Sequence, residues 1–190
     1  MQNKHTFEEC ASPRHLIWFD GEYTGLNPSS DIILEIGFLA TDFDLNVLGS
    51  YSSFVKQEQS LIKNLTANNN HWETRENEVE EFIEGCSTGI PLNEIDIAIS
   101  GIVQSVTRGE PGILAGNSLF TDRRFILAYM PNLSSLLHYR MLDVSSFKIY
   151  VQATRGIEYK KELKHRALAD VNESIEEFKA LTQLLKENNS

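Results

Sequence analysis

The sequence lacks the features that would place it in several specialised classes of protein. Only two of its 190 residues are cysteines, Cys10 and Cys86, and their spacing fits neither a disulfide framework nor a metal-ligand motif. No apolar run reaches the length of a membrane span, and residues 1–15 contain no apolar signal core. These absences predict a protein of a reducing, cytoplasmic compartment without a membrane partner.

Positive charge is also scarce. The chain carries 17 lysines and arginines against 27 acids, which gives a formal net charge of −10. Because a general grip on long nucleic acid needs a basic face, this balance argues against such a partner. It leaves open a short nucleotide ligand that is held through metal ions and a few positioned groups.

The length and order of the predicted elements indicate one α/β domain over residues 1–190, with frayed ends at 1–14 and 187–190. Strands are predicted at 16–25, 32–41, 47–55, 113–116 and 139–143. Helices are predicted at 71–84, after an N-cap at Asn93, at 122–129, at 144–152 and from Ala167 onward, with loop or frayed helix at 57–70. The first three strands have short connections, as in an antiparallel meander. The whole pattern predicts a mixed five-stranded sheet flanked by helices.

Two acids stand at the end of the first strand, in the segment LIWFDGEYTG at residues 16–25. Asp20 and Glu22 are two positions apart, so a strand directs both side chains to the same face. Neighbouring carboxylates repel each other, and a divalent cation such as Mg²⁺ or Mn²⁺ relieves the repulsion. For an isolated D-x-E motif, a simpler alternative is one acid in solvent and the other capping a turn.

Two further acids and a histidine can join this pair. Asp122 follows a short buried strand, and Asp170 lies in the first turn of the last helix, where the helix dipole alone also favours an acid. His165 precedes Asp170 by five residues, which corresponds to about 140° on a continuous helix. The two side chains therefore share a site only if His165 lies on the loop that enters the helix.

Four segments together resemble oligoribonucleases, which are DEDDh exonucleases with a ribonuclease H-like fold. These segments are DGEYTGL at 20–26, GNSLFTDRRF at 116–125, YMPNLSSLLHYRMLDVSS at 129–146 and HRALAD at 165–170. They occur in the family's order and with similar spacing. The resemblance implies a ribonuclease H-like mixed sheet and the 3′→5′ hydrolysis of short RNA oligonucleotides to 5′-mononucleotides.

The same resemblance implies roles for individual residues. Two divalent cations, Mg²⁺ or Mn²⁺, would be held by Asp20, Glu22, Asp122 and Asp170, with His165 as the general base. A polar cap would hold the far, 5′ phosphate of the substrate through Ser118, Tyr139, Arg140 and Ser145. In the family the tyrosine–arginine segment works across a dimer interface, so a homodimer is also expected.

Two positions depart from the family's pattern. Gly21 stands between the first two acids, where the resemblance implies a leucine against the substrate's bases, and losing such a contact weakens binding by about 1.5–3 kcal/mol. The family also has a histidine before a Gly-x-Ser-Gly-like segment. The nearest counterpart here, GCSTG at 85–89, has none, and His71 lies too far upstream. These departures predict that cleavage survives with a relaxed preference for dinucleotides.

Two other functions remain open from the sequence. One is a DEDDh exonuclease that acts on DNA or on a broader range of short oligonucleotides. The other is a nucleotide-binding or scaffold protein that keeps the fold without cutting. The retained acids argue against the second, because a protein that binds no cation has no physical reason to keep repelling carboxylates together.

Overall fold

The computed structural model describes residues 14–67, 69–160 and 166–187. The described strands are β1 (His15–Tyr23), β2 (Ile33–Asp42), β3 (Val47–Phe54), β4 (Gly112–Gly116) and β5 (Leu137–Asp143). They form one five-stranded sheet in the order β3-β2-β1-β4-β5. β1, β2 and β3 pair antiparallel, whereas β4 is parallel to both β1 and β5. The predicted mixed sheet and its initial meander are confirmed.

Helices cover both faces of this sheet. Those in the described ranges are α1 (Gln59–Thr66), α2 (Glu76–Ser87), α3 (Leu92–Thr107), α4 (Phe120–Tyr129), α5 (Pro131–Leu136), α6 (Val144–Arg155) and α7 (Ala167–Lys186). Within those ranges, no helix combines the length and the apolar character that crossing a membrane requires. The frayed ends predicted at 1–14 and 187–190 lie almost wholly outside the described residues.

The helix α2 begins later than the sequence predicted. Residues 71–75 form turns that bury Trp72, whose indole N–H donates to the Thr24 carbonyl oxygen at 2.9 Å. Gly85 was expected to end the helix but lies inside it. A Cβ there would come within 2.6 Å of the Phe54 ring, so the glycine lets helix and strand approach closely. The prediction was wrong because both contacts join residues that are distant in the sequence.

Two further differences concern prolines. α3 begins at Leu92 with Pro91 at its N-cap position, so the predicted cap at Asn93 is wrong. The short helix α5, which the sequence did not predict, has Pro131 as its first residue, where a missing N–H costs nothing. The buried carboxylate of Asp96 on α3 accepts hydrogen bonds from the backbone of Asn132 and Leu133 and so satisfies the start of α5.

Alternation along β1 divides its side chains between two hydrophobic layers. Ile17 and Phe19 pack in the layer that α3, α4 and α5 cover. Leu16 and Trp18 pack in the layer that α6 and α7 cover. Continued along the strand, this alternation directs Asp20 and Glu22 toward the α7 layer, and position 21 and Tyr23 toward the α4 layer.

Candidate active site

The candidate site lies where the parallel strands β1, β4 and β5 end. Their carboxyl ends meet at one edge of the sheet, which is where ligands bind in open α/β sheets. Asp20 and Glu22 lie near the end of β1, Asn117 follows β4 and Asp143 ends β5. Chemistry-bearing side chains from separate parts of the chain are thereby gathered along one edge.

Three of the predicted acids form a cluster. Asp20, Glu22 and Asp170 each offer a carboxylate oxygen, and these oxygens lie within 4.8 Å of one another. Asp170 is buried, and its Oδ1 has no hydrogen-bond partner among the described residues. A buried, unpaired carboxylate oxygen beside two further carboxylates is costly unless a cation neutralises it. The donor set is all oxygen and anionic, which fits a hard divalent cation.

The crowding of these acids shifts their titration. Burial, followed by the negative charge of Asp170, raises the pKa of Glu22 from 4.5 to about 7. The guanidinium of Arg75 opposes this shift, and Glu35 adds to it. A cation bound to the cluster would favour the ionised form of Glu22 and reverse the shift.

Asp170 reaches the cluster because β2 holds the start of α7. At Gly37 a Cβ would come within 2.5 Å of the Ala167 carbonyl oxygen, so only glycine allows this approach of the helix. The buried carboxylate of Glu35 accepts hydrogen bonds from the Arg166 guanidinium, at 3.0 Å from Nη2 and 3.1 Å from Nε. It also accepts one from the Ala167 N–H at 3.3 Å. No local sequence pattern indicates this role of Glu35, because the contact spans more than a hundred residues.

Asp122 lies on the other side of β1. It is in the first turn of α4, is buried, and does not belong to the cluster of three carboxylates. Its Oδ1 accepts hydrogen bonds from the Tyr23 hydroxyl at 2.7 Å and from the Gly21 N–H at 3.2 Å. The structure thus joins Asp122 to the strand that carries Asp20 and Glu22, but through hydrogen bonds rather than through another carboxylate.

Burial also governs the titration of this pair. Burial raises the pKa of Asp122 to about 6, although the hydrogen bonds from Tyr23 and Gly21 oppose the shift. Burial and the Asp122 carboxylate together raise the pKa of Tyr23 well above its usual value. The tyrosine therefore keeps its proton and remains a donor across the whole physiological range.

Of the residues assigned to the phosphate cap, Ser118 and Ser145 lie together. The Ser118 N–H donates to Ser145 Oγ at 3.0 Å, and the two hydroxyl oxygens are 3.1 Å apart. Asp143, which the sequence did not single out, accepts from the N–H groups of both serines, at 3.1 and 2.9 Å. One carboxylate thereby caps α6 and fixes the Ser118 loop, whose backbone has a left-handed φ of 54° at Ser118.

Asn117 is a second residue that the sequence did not single out. Its side-chain amide donates to Ser174 Oγ at 2.9 Å and to Glu177 Oε2 at 3.0 Å, both on α7. Its amide oxygen accepts from Ser145 Oγ at 3.2 Å. Asn117 therefore links the serine pair to the helix that carries Asp170, and its place directly after a buried strand was the available signal.

Tyr139 and Arg140 lie apart from the serines on the outer strand β5. Tyr139 is 72% exposed, and the Arg140 guanidinium lies 5.3 Å from the centre of its ring. Within the described ranges, no hydrogen bond joins either residue to Ser118 or Ser145. His165, the predicted general base, lies outside the described residues, although its neighbour Arg166 is held by Glu35.

Known proteins similar to this chain are exonucleases. The RNase_T family model, described as an exonuclease, matches residues 17–178. An oligoribonuclease from Tropheryma whipplei is 40% identical over 173 residues, which cover 88% of this chain and 91% of that protein. An oligoribonuclease from Neisseria meningitidis is 35% identical over 169 residues, covering 87% and 89%. These matches confirm the resemblance inferred from the four sequence segments.

Solved structures of exonuclease I share the fold at low sequence identity. The enzyme from Methylocaldum szegediense gives a TM-score of 0.58 with 20% identity over 92% of this chain and 41% of that one. Exonuclease I of E. coli, in complex with a dT13 oligonucleotide, gives 0.57 with 16% identity over 91% and 41%. The present chain spans about two fifths of the length of these structures, so they support its fold alone.

The sequence matches cover nearly all of the sheet and its helices, including all three carboxylates of the cluster. An exonuclease is a hydrolase that removes nucleotides from the end of a nucleic acid. The chain belongs to the RNase_T family of exonucleases, together with the oligoribonucleases.

Proposed function

We propose that this chain is a 3′→5′ exoribonuclease that hydrolyses short RNA oligonucleotides to 5′-mononucleotides. The observation that carries this proposal is the cluster of Asp20, Glu22 and Asp170, with oxygens within 4.8 Å of one another. It lies at the edge of the sheet where ligands bind, in a chain whose relatives are named oligoribonucleases.

We assign two divalent cations, Mg²⁺ or Mn²⁺, to four carboxylates. Asp20, Glu22 and Asp170 would hold one ion between them, and Asp122 would contribute to the second from the other side of β1. When bound, such a pair of ions supplies an activated water and stabilises the leaving oxygen of an in-line displacement. Four negative charges balance two divalent cations, so the filled site would carry no large net charge.

His165 is proposed as the general base that accepts a proton from the attacking water. An unperturbed histidine has a pKa of about 6.5, which suits proton transfer near neutral pH. It directly precedes Arg166, whose guanidinium is fixed by the buried Glu35. This anchor supports a defined position for the start of α7, close to Asp170.

The far phosphate of the substrate is assigned to Ser118, Ser145, Tyr139 and Arg140. The paired serine hydroxyls lie beside the end of β4 and can rotate to donate to a phosphate, and an arginine guanidinium can bind phosphate with two parallel hydrogen bonds. Arg140 and Tyr139 are exposed on the outer strand and do not contact the serines of their own chain. We therefore propose that they act in a homodimer, in which the segment of one subunit completes the site of the other.

The dimer is tested by sedimentation of the wild-type protein and of a Met141→Asp variant. Met141 is an exposed apolar residue of β5, as Tyr139 is. A charge there should dissociate a dimer that forms through this strand, because burying an unpaired charge is costly. A monomeric wild type at micromolar concentration would reject the homodimer.

The two cysteines and the absence of a disulfide pattern support a cytoplasmic location for this activity. Cys86 is buried and forms no disulfide within the described residues. Fractionation of cells that express the full chain tests the location directly, and recovery outside the cytoplasm would reject it.

The activity is tested with a labelled RNA dinucleotide in Mn²⁺, with release of mononucleotides as the readout. Excess EDTA should abolish release, and an Asp122→Ala variant should reduce it strongly. No cleavage by the wild type would favour the scaffold alternative, and equal cleavage of a DNA dinucleotide would favour the alternative exonuclease on DNA. Comparison of two-, three- and seven-nucleotide RNAs measures the length preference, which we expect to be relaxed.

A further inference from the structure

The ring of Tyr23 occupies the space where position 21 would carry a side chain. A Cβ built on Gly21 would lie 2.5 Å from Tyr23 Cζ and even closer to its hydroxyl oxygen. The two positions share one face of β1, so the tyrosine folds back along its own strand. Any residue other than glycine at position 21 would displace the ring. The glycine found here, in place of the leucine that the family resemblance implies, therefore goes together with the tyrosine at position 23.

Both ends of the Tyr23 side chain are fixed to α4. Its ring stacks on the buried ring of Phe125, with centroids 4.1 Å apart and an interplanar angle of 23°. Its hydroxyl donates to Asp122 Oδ1 at 2.7 Å. Phe125 and Asp122 are three residues apart on this helix and so lie on the same face. The tyrosine is therefore held in one orientation by packing at one end and by a hydrogen bond at the other.

The Asp122 carboxylate receives two donors from β1. In addition to the Tyr23 hydroxyl, the Gly21 N–H donates to the same oxygen at 3.2 Å. Asp122 is only 6% exposed, and in such a place a carboxylate is costly without donors. These two hydrogen bonds orient the carboxylate relative to the strand that carries Asp20 and Glu22.

We propose that Tyr23 is a positioning residue that holds the Asp122 carboxylate in the orientation needed to bind a divalent cation, and that Gly21 is present to make room for it. This inference rests on the proposed function, because it assumes that Asp122 binds an ion. Hydrogen bonds of this kind to a metal ligand typically change metal affinity by about 10–100-fold. Glycine thus stands where the resemblance implies a leucine, and the space is filled by the Tyr23 ring, which supports the metal ligand Asp122.

The inference is tested by Mn²⁺ binding, which calorimetry or electron paramagnetic resonance measures without turnover. We expect two ions per wild-type chain. Tyr23→Phe keeps the ring and its stacking on Phe125 but removes the hydroxyl donor. It should lower the affinity for the more weakly bound ion by about tenfold or more. The tighter ion, assigned to the cluster of Asp20, Glu22 and Asp170, should bind with unchanged affinity. Gly21→Ala should have the same effect, because its Cβ displaces the Tyr23 hydroxyl.

Tyr129→Phe is the matched control. The hydroxyl of Tyr129 donates to the Pro28 carbonyl oxygen and touches none of the acids, so the affinities of both ions should be unchanged. Wild-type affinities in Tyr23→Phe, or tighter binding of the weaker ion, would overturn the positioning role and leave the proposed function standing. A wild-type chain that binds fewer than two ions would overturn both.

Discussion

The carboxylates on the two sides of β1 differ in their hydrogen bonding and in the number of neighbouring charges. On the α7 side, Glu22 and Asp170 lie with Asp20 in a cluster in which one buried oxygen has no hydrogen-bond partner among the described residues. On the α4 side, Asp122 is alone and already accepts two hydrogen bonds from the strand. The first side needs a cation to offset its charge, whereas the second is stabilised in the metal-free protein. We therefore expect the cluster to bind its ion more tightly than Asp122 binds the other.

Asp170→Asn should give the largest effect. It removes one charge of the cluster and one ligand, so mononucleotide release should fall by about 10³-fold, the scale of losing a charge-stabilising group. The metal-free variant should melt at a higher temperature than the wild type, because the repulsion is reduced. Glu176→Gln, an exposed change on the same helix, is the control and should leave both properties unchanged. Activity within tenfold of wild type in Asp170→Asn would contradict the assignment of the cluster.

Mn²⁺ should stabilise the folded protein by about 2.7 kcal/mol when its concentration is 100 times the dissociation constant. For a chain of this size, that corresponds to a rise of about 5–10 °C in the melting temperature. Differential scanning fluorimetry with and without Mn²⁺ measures the shift. It should be much smaller in Asp170→Asn than in Asp122→Asn if the cluster is the tighter site, and equal shifts in the two variants would remove the distinction between the two sides.

Gly21→Leu tests the α4 side. The new side chain must displace the Tyr23 ring, and such overpacking costs about 1–3 kcal/mol of unfolding free energy. Tyr23→Ala in the same chain should relieve the clash, so the double variant should be less destabilised than the sum of the two single variants. Gly101→Leu is the control, because nothing lies within 4 Å of a Cβ at that position. Urea unfolding measures all four, and additive effects would reject the coupling of residues 21 and 23.

The pH dependence of metal binding should reflect Glu22. Because its pKa in the metal-free fold is raised from 4.5 to about 7, about one tenth of it is ionised at pH 6 and about nine tenths at pH 8. The tighter ion should therefore bind about tenfold more strongly at pH 8. The metal-free protein should show the opposite trend, since a raised carboxyl pKa stabilises the fold at low pH and loses this contribution as the pH rises through 7. Affinity that falls with pH in calorimetry would contradict this.

Much of this site could be predicted from short-range patterns. The D-x-E spacing at Asp20 and Glu22 was sufficient to place two carboxylates on one face, since the periodicity of a strand is local. The mixed sheet followed from the order of apolar segments. The family resemblance pointed to Asp170, which the structure brings to the same two acids. Its membership in the cluster depends on the close approach of α7 at Gly37, which no local pattern reveals.

The site features that the sequence did not predict depend on contacts between distant residues. In the sequence, Tyr23 is not distinguishable from an ordinary strand residue. Its role follows only from the hydrogen bond between its hydroxyl and Asp122 on α4. Glu35, Asn117 and Asp143 orient the site through hydrogen bonds to segments that are remote in the chain. The late start of α2 has the same origin, because the burial of Trp72 against Thr24 outweighs the helical preference of residues 71–75.

The most direct test is a crystal of the protein grown with Mn²⁺ and measured for anomalous scattering. The account predicts a strong peak between the carboxylates of Asp20, Glu22 and Asp170, and a weaker one beside Asp122. Saturating Mn²⁺ with no peak among those three carboxylates would contradict the claim that they form a cation site.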